Sequence, residues 1–192
     1  RENIRNVLLR VHFYGPYLTR AIFHAIGRIA TTNLELAKEL ATLEYDEAPH
    51  PALALRDFKL LGGYSADTED PLISPAAFAV ASVAELLARH ENPYAILGAL
   101  YLLESTTPQF IEGIVQRLMA VDSTALTEFL SLHRTQDVDH SATLRRLIDG
   151  VVKRDRATAR AIAFGYECFS IVYPGPIWDE ALQHSRAREK RR

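Results

Sequence analysis

The 192-residue chain has 48% hydrophobic and 24% charged residues, a composition typical of a soluble globular domain and not of a disordered segment. Its 22 basic and 24 acidic residues give a formal net charge of -2, which excludes a general electrostatic attraction to nucleic acid or to an anionic membrane. The apolar runs are too short to span a bilayer. We therefore expect one helical domain over residues 1–192, with no nucleic-acid or membrane partner.

Cys168 is the one cysteine of the chain, so an intramolecular disulfide is excluded. With an N-terminus that has no signal-like pattern, this favours a reducing cytoplasm. Cys168 lies among apolar residues in "GYECFSIVY" with no base beside it, which favours a buried structural thiol over a nucleophile.

Apolar residues recur at helical spacing along almost the whole chain, which predicts an all-α protein. The first two helices are predicted over Glu2–Phe13 and Pro16–Thr31, with a break at "YGP", where Gly and Pro interrupt the pattern. Asn33 then caps an amphipathic helix that runs towards Asp46.

The segment "DEAPHP" is expected to disturb that helix, because Pro49 and Pro51 lack a backbone N–H. The next helix, "ALALRDFKLL", ends at the two glycines that follow it. "GGYSADTEDPLISP" is predicted to be the one long loop. Ser74 with Pro75 begins another helix, and Asn92 with Pro93 repeats this start signal before "YAILGALYLLE".

The second half of the chain is predicted to be helical as well. Pro108 is expected to kink or restart the helix that contains "YLLE". Asp122 or Ser123 begins a helix that continues to about Gly150, and two last helices are separated by "PGP". The prediction is a bundle of about seven helices.

The stretch "FLSLHRTQDVDH", residues 129–140, contains three potential metal ligands, His133, Asp137 and His140. At 100° per residue, the fourth and seventh positions after His133 return to within about 40° of its direction, so the three side chains share one helix face. Two imidazoles and a carboxylate are a donor set that non-heme Fe(II) favours. The alternative is a solvated polar face that also carries Arg134 and Gln136.

Other candidate ligands lie in apolar surroundings. Glu104 follows the apolar run of "ALYLLE", where an unpaired buried carboxylate would be costly; the alternative is an exposed helix end. Glu47 and His50 are three residues apart and share a face if the chain stays helical there, whereas a break would also let Glu44 reach them. The alternative is a solvated acidic turn. Inward-facing carboxylates and histidines are how helix bundles hold two irons.

These segments together resemble the heme-oxygenase-like diiron oxidases and oxygenases, a family of iron-containing redox enzymes. The resemblance runs through "LEYDEAPHPALALRDFKLLGG", "YLLEST" and "FLSLHRTQDVDH", and covers the chain from about residue 33 to residue 150. The last segment matches the family's third core helix, which carries His, three residues, Asp, two residues and His. Glu104 matches the family's central Glu, and His50 matches the His of its first core helix.

The resemblance implies a seven-helix heme-oxygenase-like bundle that holds two Fe(II) ions. The family's first Glu usually lies further before the first His than in this chain, and Glu47 is favoured for it, with Glu44 as the substitute. In this interpretation His50 and either Glu47 or Glu44 bind one iron, and Glu104 bridges the two irons. The other iron is bound mainly by His133, Asp137 and His140. The implied ligand set is Glu44 or Glu47, His50, Glu104, His133, Asp137 and His140.

The function implied by the resemblance is the use of O2 as co-substrate to oxidise a small organic molecule such as an amino acid, an amine or a carboxylate. The reaction would be N-oxygenation, oxidative C–C cleavage or desaturation. No catalytic residue is predicted beyond the metal ligands, and a homodimer is possible. Candidate walls of the substrate pocket are Tyr14, Tyr17, Tyr101 and Trp178, and "STTP" after Glu104 could open the helix to make room.

Three alternatives remain at this stage. A metal-free enzyme of the same fold would need a nucleophile. A non-catalytic helical adaptor predicts an exposed apolar patch and tolerance of His140→Ala. Heme binding by a proximal His fits poorly with so many carboxylates on the expected core faces.

Overall fold

The computed structural model describes residues 1–63, 74–122, 126–134 and 136–189. These residues form nine helices and no strand, so the predicted all-α bundle is confirmed. The pairs α2 and α3, and α6 and α7, are each separated by two residues, and counting each pair as one interrupted helix gives the expected seven. The helices are α1 Glu2–Ala30, α2 Leu34–Glu47, α3 His50–Leu60, α4 Pro75–Ala88, α5 Ala95–Val121, α6 Glu128–His133, α7 Gln136–Val152, α8 Arg156–Ser170 and α9 Gly175–Glu189.

The predicted break at "YGP" is wrong, because α1 continues through Pro16 without interruption. Pro16 removes one helical hydrogen bond, but α1 packs against α2, α3, α4 and α9, and this burial stabilises the helix across that position. Gly15 is needed for a close approach and not for a turn. A Cβ there would lie 2.4 Å from the Cγ atom of Pro51 at the start of α3.

The helix α5 likewise does not restart at Pro108, and "STTP" does not open it. The hydroxyl of Thr106 donates to the carbonyl of Leu102 at 2.7 Å, and that of Thr107 donates to Leu103 at 2.6 Å. These bonds satisfy the hydroxyls inside the helix, and burial of Leu102, Thr107 and Ile111 against the bundle stabilises it across Pro108.

Two predicted helix starts are confirmed, because the side chains of Asn33 and Ser74 accept hydrogen bonds from the backbone N–H groups of Leu36 and Ala77. The start predicted at Asn92 with Pro93 is wrong by two residues: the N-cap of α5 is Tyr94, and the Asn92 side chain accepts from the N–H of Tyr94. Residues 64–73, most of the expected long loop, lie outside the described residues.

The predicted start of the ligand-bearing helix is wrong. Asp122 is the C-cap of α5, and Ser123 lies outside the described residues. The side chain of Thr127 caps α6 instead, by accepting from the N–H of Leu130.

Two opposing glycines let α5 lie directly against α8. A Cβ at Gly98 would lie 2.0 Å from the carbonyl oxygen of Ile162, and one at Gly165 would lie 1.8 Å from that of Ala95. A side chain larger than hydrogen therefore cannot be placed at either position unless the helices separate.

Gly98→Ala is expected to lower the free energy of unfolding by about 1–3 kcal/mol, because the added methyl group forces α5 away from α8. The matched control is Gly113→Ala in the same helix, where a Cβ has no neighbour within 4 Å. It should raise the free energy of unfolding by about 0.5–1 kcal/mol, because alanine loses less backbone entropy than glycine on folding. Denaturant unfolding of both variants measures the difference, and equal effects would contradict the role given to Gly98.

Candidate metal centre

All seven predicted ligand residues have side chains that lie mostly inside the bundle, and six of them form two overlapping groups. The ligand atoms of each group lie within 4.8 Å of one another. The two groups share Glu47. The first consists of Glu47, His50 and His133, and the second of Glu47, Glu104, Asp137 and His140.

The first group depends on the short segment between α2 and α3. Ala48 and Pro49 both keep helical backbone angles, so Glu47 and His50 lie on the same side as the sequence spacing requires. Glu47 Oε2 lies 2.5 Å from His50 Nδ1 and 4.0 Å from His133 Nε2. The group thus offers two imidazoles and one carboxylate, a donor set suited to Fe(II).

The single helix face predicted for His133, Asp137 and His140 is wrong. His133 ends α6, and the other two residues lie on α7, which begins at Gln136. The spacing of 100° per residue holds only within an uninterrupted helix. His133 therefore joins His50 in the first group, and the residue shared between the groups is Glu47 and not Glu104.

The second group contains the most deeply buried carboxylates of the centre. His140 Nδ1 lies 2.9 Å from Glu47 Oε1 and 3.5 Å from Glu104 Oε2. Asp137 has no exposed surface, and neither of its oxygens makes a hydrogen bond to any part of the chain that the structure describes.

Unsatisfied polar atoms are the strongest indication that these residues fit a metal. A buried carboxylate without a partner is energetically costly, and a divalent cation shared among several such groups offsets that cost. Both carboxylate oxygens of buried Asp137 lack a hydrogen-bond partner within the described residues. Glu47, His50, Glu104 and His140 pair only within the centre in the contacts given above, as His50 with Glu47 and His140 with Glu47 and Glu104.

The pKa values show how the centre shares protons when no metal neutralises it. Burial raises the pKa of Asp137 to about 9 and that of Glu104 to about 7, and neighbouring carboxylates add to both shifts. The Glu104 and Glu47 carboxylates raise the pKa of His140 to about 10. Burial acts to raise the pKa of Glu47, but the adjacent His140 and His50 rings outweigh it and lower that pKa to about 2. Metal binding must displace the shared protons.

His133 is held in the tautomer that a metal ligand needs. Burial, with the nearby His50 ring, lowers the pKa of His133 to about 4, so the ring is neutral near pH 7. Its Nδ1 lies 2.8 Å from the carbonyl oxygen of Phe129. Because a carbonyl only accepts, Nδ1 carries the proton and the lone pair of Nε2 is left for a ligand.

Asp57 supports His133 from the next layer, and the sequence analysis missed it. It has no exposed surface, and its Oδ2 accepts a hydrogen bond of 2.6 Å from the backbone N–H of Phe129. The backbone of Phe129 therefore joins Asp57 to His133. A signal was present, because Asp57 lies seven residues after His50 and so returns to the same face of α3.

Asp57→Ala is expected to weaken iron binding by about tenfold or more, since second-layer partners of metal-binding histidines typically contribute this much. Asp57→Asn keeps an acceptor oxygen and should lose less. The control is Glu128→Gln, which removes the exposed ion pair between Glu128 of α6 and Arg56 of α3 and leaves the contacts of Asp57 in place. Iron titrations of the three variants test the role of Asp57, and a Glu128→Gln loss as large as that of Asp57→Ala would contradict it.

A mostly apolar cavity lies beside the centre. Its metal-side wall includes Glu44, Glu47, His50, Glu104 and His133, and residues of α1, α5 and α9, mostly apolar, form most of the rest.

Two of the four aromatic residues predicted as pocket walls line this cavity, Tyr14 and Trp178. Tyr17 instead lies in a separate surface groove between α1 and α4, with 43% of its surface exposed, and Tyr101 is not part of the wall. Tyr173 was missed: its hydroxyl lies 2.8 Å from that of Thr107, and both residues line the cavity.

The fold and the site define an all-α protein with a buried histidine and carboxylate centre that suits iron. A family model described as iron-containing redox enzyme matches residues 5–173, and the chain belongs to that family. The predicted resemblance is thereby confirmed, and the protein is an iron-containing oxidoreductase. No curated protein matches the chain. Among the helices of the described ranges, none is long and apolar enough to cross a membrane.

Proposed function

We propose that this oxidoreductase holds two Fe(II) ions and uses O2 to oxidise a small organic substrate. The observation that carries the proposal is the pair of ligand groups that share Glu47. Six ligand residues divided over two overlapping groups suit two neighbouring ions better than one, as in other bundle proteins with carboxylate-bridged irons.

The charges of the centre agree with two divalent ions. Glu47, Glu104 and Asp137 supply three negative charges when they are deprotonated, against four positive charges from two Fe(II) ions. Iron when bound supplies the redox chemistry with O2. The chain supplies the ligands, fixes the tautomer of His133, and provides an apolar cavity that limits access of water to the centre.

The reaction classes consistent with this proposal are N-oxygenation, oxidative C–C cleavage and desaturation. Glu104 and the first ligand group border the cavity directly, so a substrate there would lie beside the iron ligands. The possible homodimer, the absence of nucleic-acid and membrane partners, and a cytoplasmic location stay predictions from composition.

The rival functions have less support. A metal-free hydrolase would need a nucleophile, and Cys168, which is half-buried, is not among the described residues that line the cavity. A non-catalytic adaptor would leave the buried unpartnered carboxylates of the centre without explanation. Exposed apolar residues such as Phe78 and Leu86 on α4 do occur, but they lie outside the site.

The decisive test is an anaerobic Fe(II) titration of the metal-free protein and of His140→Ala, each then mixed with O2 and followed by visible absorption. We expect two irons per chain in the unchanged protein and an O2-dependent absorption change that His140→Ala lacks. If iron binds poorly without substrate, the titration is repeated with candidate amines and carboxylates. No iron binding under any of these conditions, with identical behaviour of the variant, would overturn the proposal.

A further inference from the structure

Glu44 is a buried carboxylate that neither of the two ligand groups uses. It lies on α2 one turn before Glu47, it is 3% exposed, and it belongs to neither group. The side chain of Thr19 hydrogen-bonds its carboxyl group, but Oε1 has no hydrogen-bond partner in the described residues. Glu44 and Thr19 both line the apolar cavity. An unpartnered buried oxygen at a cavity wall indicates a missing polar partner.

Away from its metal side, the wall of the cavity is mostly apolar. One face of α1 lines it from Ile4 to Ile22, which at 1.5 Å per residue is about 27 Å of helix. Thr19, which contacts Glu44, belongs to this face, and α9 contributes Ile177 and Trp178 to the wall.

The charged side chains of the cavity wall indicate whether the missing polar partner of Glu44 is a cation or an anion. Among the described residues that line the cavity there is no Lys or Arg, whereas three of them, Glu44, Glu47 and Glu104, are carboxylic acids. Of these three, Glu44 alone belongs to neither ligand group, so iron does not offset its charge. A cationic substrate group would find this carboxylate, whereas an anionic one would find no basic side chain among the described lining residues.

We propose that Glu44 binds the amino group of the substrate, and that the substrate is a primary amine with a long apolar body. The amino group lies between Glu44 and the first ligand group, and the apolar body of the substrate extends along α1 towards Trp178. This inference rests on the proposed function, since it takes the cavity to be the substrate site of the iron centre. Glu44 is then a specificity residue and not a metal ligand.

The test uses three eight-carbon probes that differ only in their head group: octylamine, octanoate and octanol. Binding is followed anaerobically, with and without Fe(II), by the fluorescence of Trp178, which is the one tryptophan of the chain and part of the cavity wall. We expect octylamine to bind at least about tenfold more tightly than the other two, because a hydrogen bond to a charged group contributes this much.

Glu44→Gln should remove this preference while octanol binding and iron content stay unchanged. The matched control is Glu35→Gln, the same substitution at an exposed position of α2, which should bind all three probes as the unchanged protein does. The inference is overturned if the unchanged protein does not prefer octylamine, if Glu44→Gln keeps the preference, or if Glu44→Gln loses iron. Absence of iron binding with the amine preference intact would instead overturn the proposed function alone.

Discussion

Replacing Glu47 by Gln is expected to abolish binding of both iron ions, the largest effect of any single substitution in the centre. The side chain belongs to both ligand groups, with Oε2 beside His50 and Oε1 beside His140. Glutamine keeps the size but removes the charge that would bind the two ions of the proposed centre. By contrast, His133→Ala changes only the first group and His140→Ala only the second, so each is expected to weaken one iron more than the other.

Iron content per chain after anaerobic loading and desalting measures this difference. Glu35→Gln is the control, because this exposed residue of the same helix pairs with Lys38 and lies outside both ligand groups. Retention of two irons by Glu47→Gln would show that Glu47 does not bridge. A loss of both irons in Glu104→Gln alone would restore the bridging role that the sequence analysis gave to Glu104.

Iron affinity is expected to rise steeply between pH 6 and pH 8. In the metal-free protein the pKa values of Asp137 and His140 are raised to about 9 and about 10, so both groups hold a proton throughout this range. A ligand must lose its proton before it binds, and a higher pH therefore favours binding. Both residues belong to the second ligand group, and displacing at least one proton from it makes the affinity of that group for iron at least about tenfold tighter for each pH unit.

Titrations at pH 6, 7 and 8, with proton release recorded in weakly buffered solution, test this expectation. In Asp137→Asn the steepness should fall, because that proton is no longer there to be displaced. Affinity that is independent of pH would mean that these groups are already deprotonated in the metal-free protein, in disagreement with the burial of Asp137 and with the Glu104 and Glu47 carboxylates beside His140.

Much of the site could be predicted from local sequence. The separation of three residues between Glu47 and His50 fixes their common direction, because the backbone between them stays helical. Glu104 follows a strongly apolar run, and its burial follows from that surrounding. Helix starts at Asn33 and Ser74 were equally clear, since a capping side chain bonds only to backbone within its own first turn.

The sequence by itself therefore determined the helical class, the iron-enzyme family and six of the residues that lie together in the candidate centre. Tertiary structure decided where the helices break and which of these residues lie in the same ligand group. Pro16 and Pro108 lie inside unbroken helices because burial of the helix faces offsets a lost hydrogen bond, which no local pattern reveals. The break between α6 and α7 moved His133 into the group of His50, and left Glu47 as the shared ligand. Distances between helices depend on packing across the bundle. Only the tertiary structure could therefore show that Glu44 lies outside the ligand groups beside it.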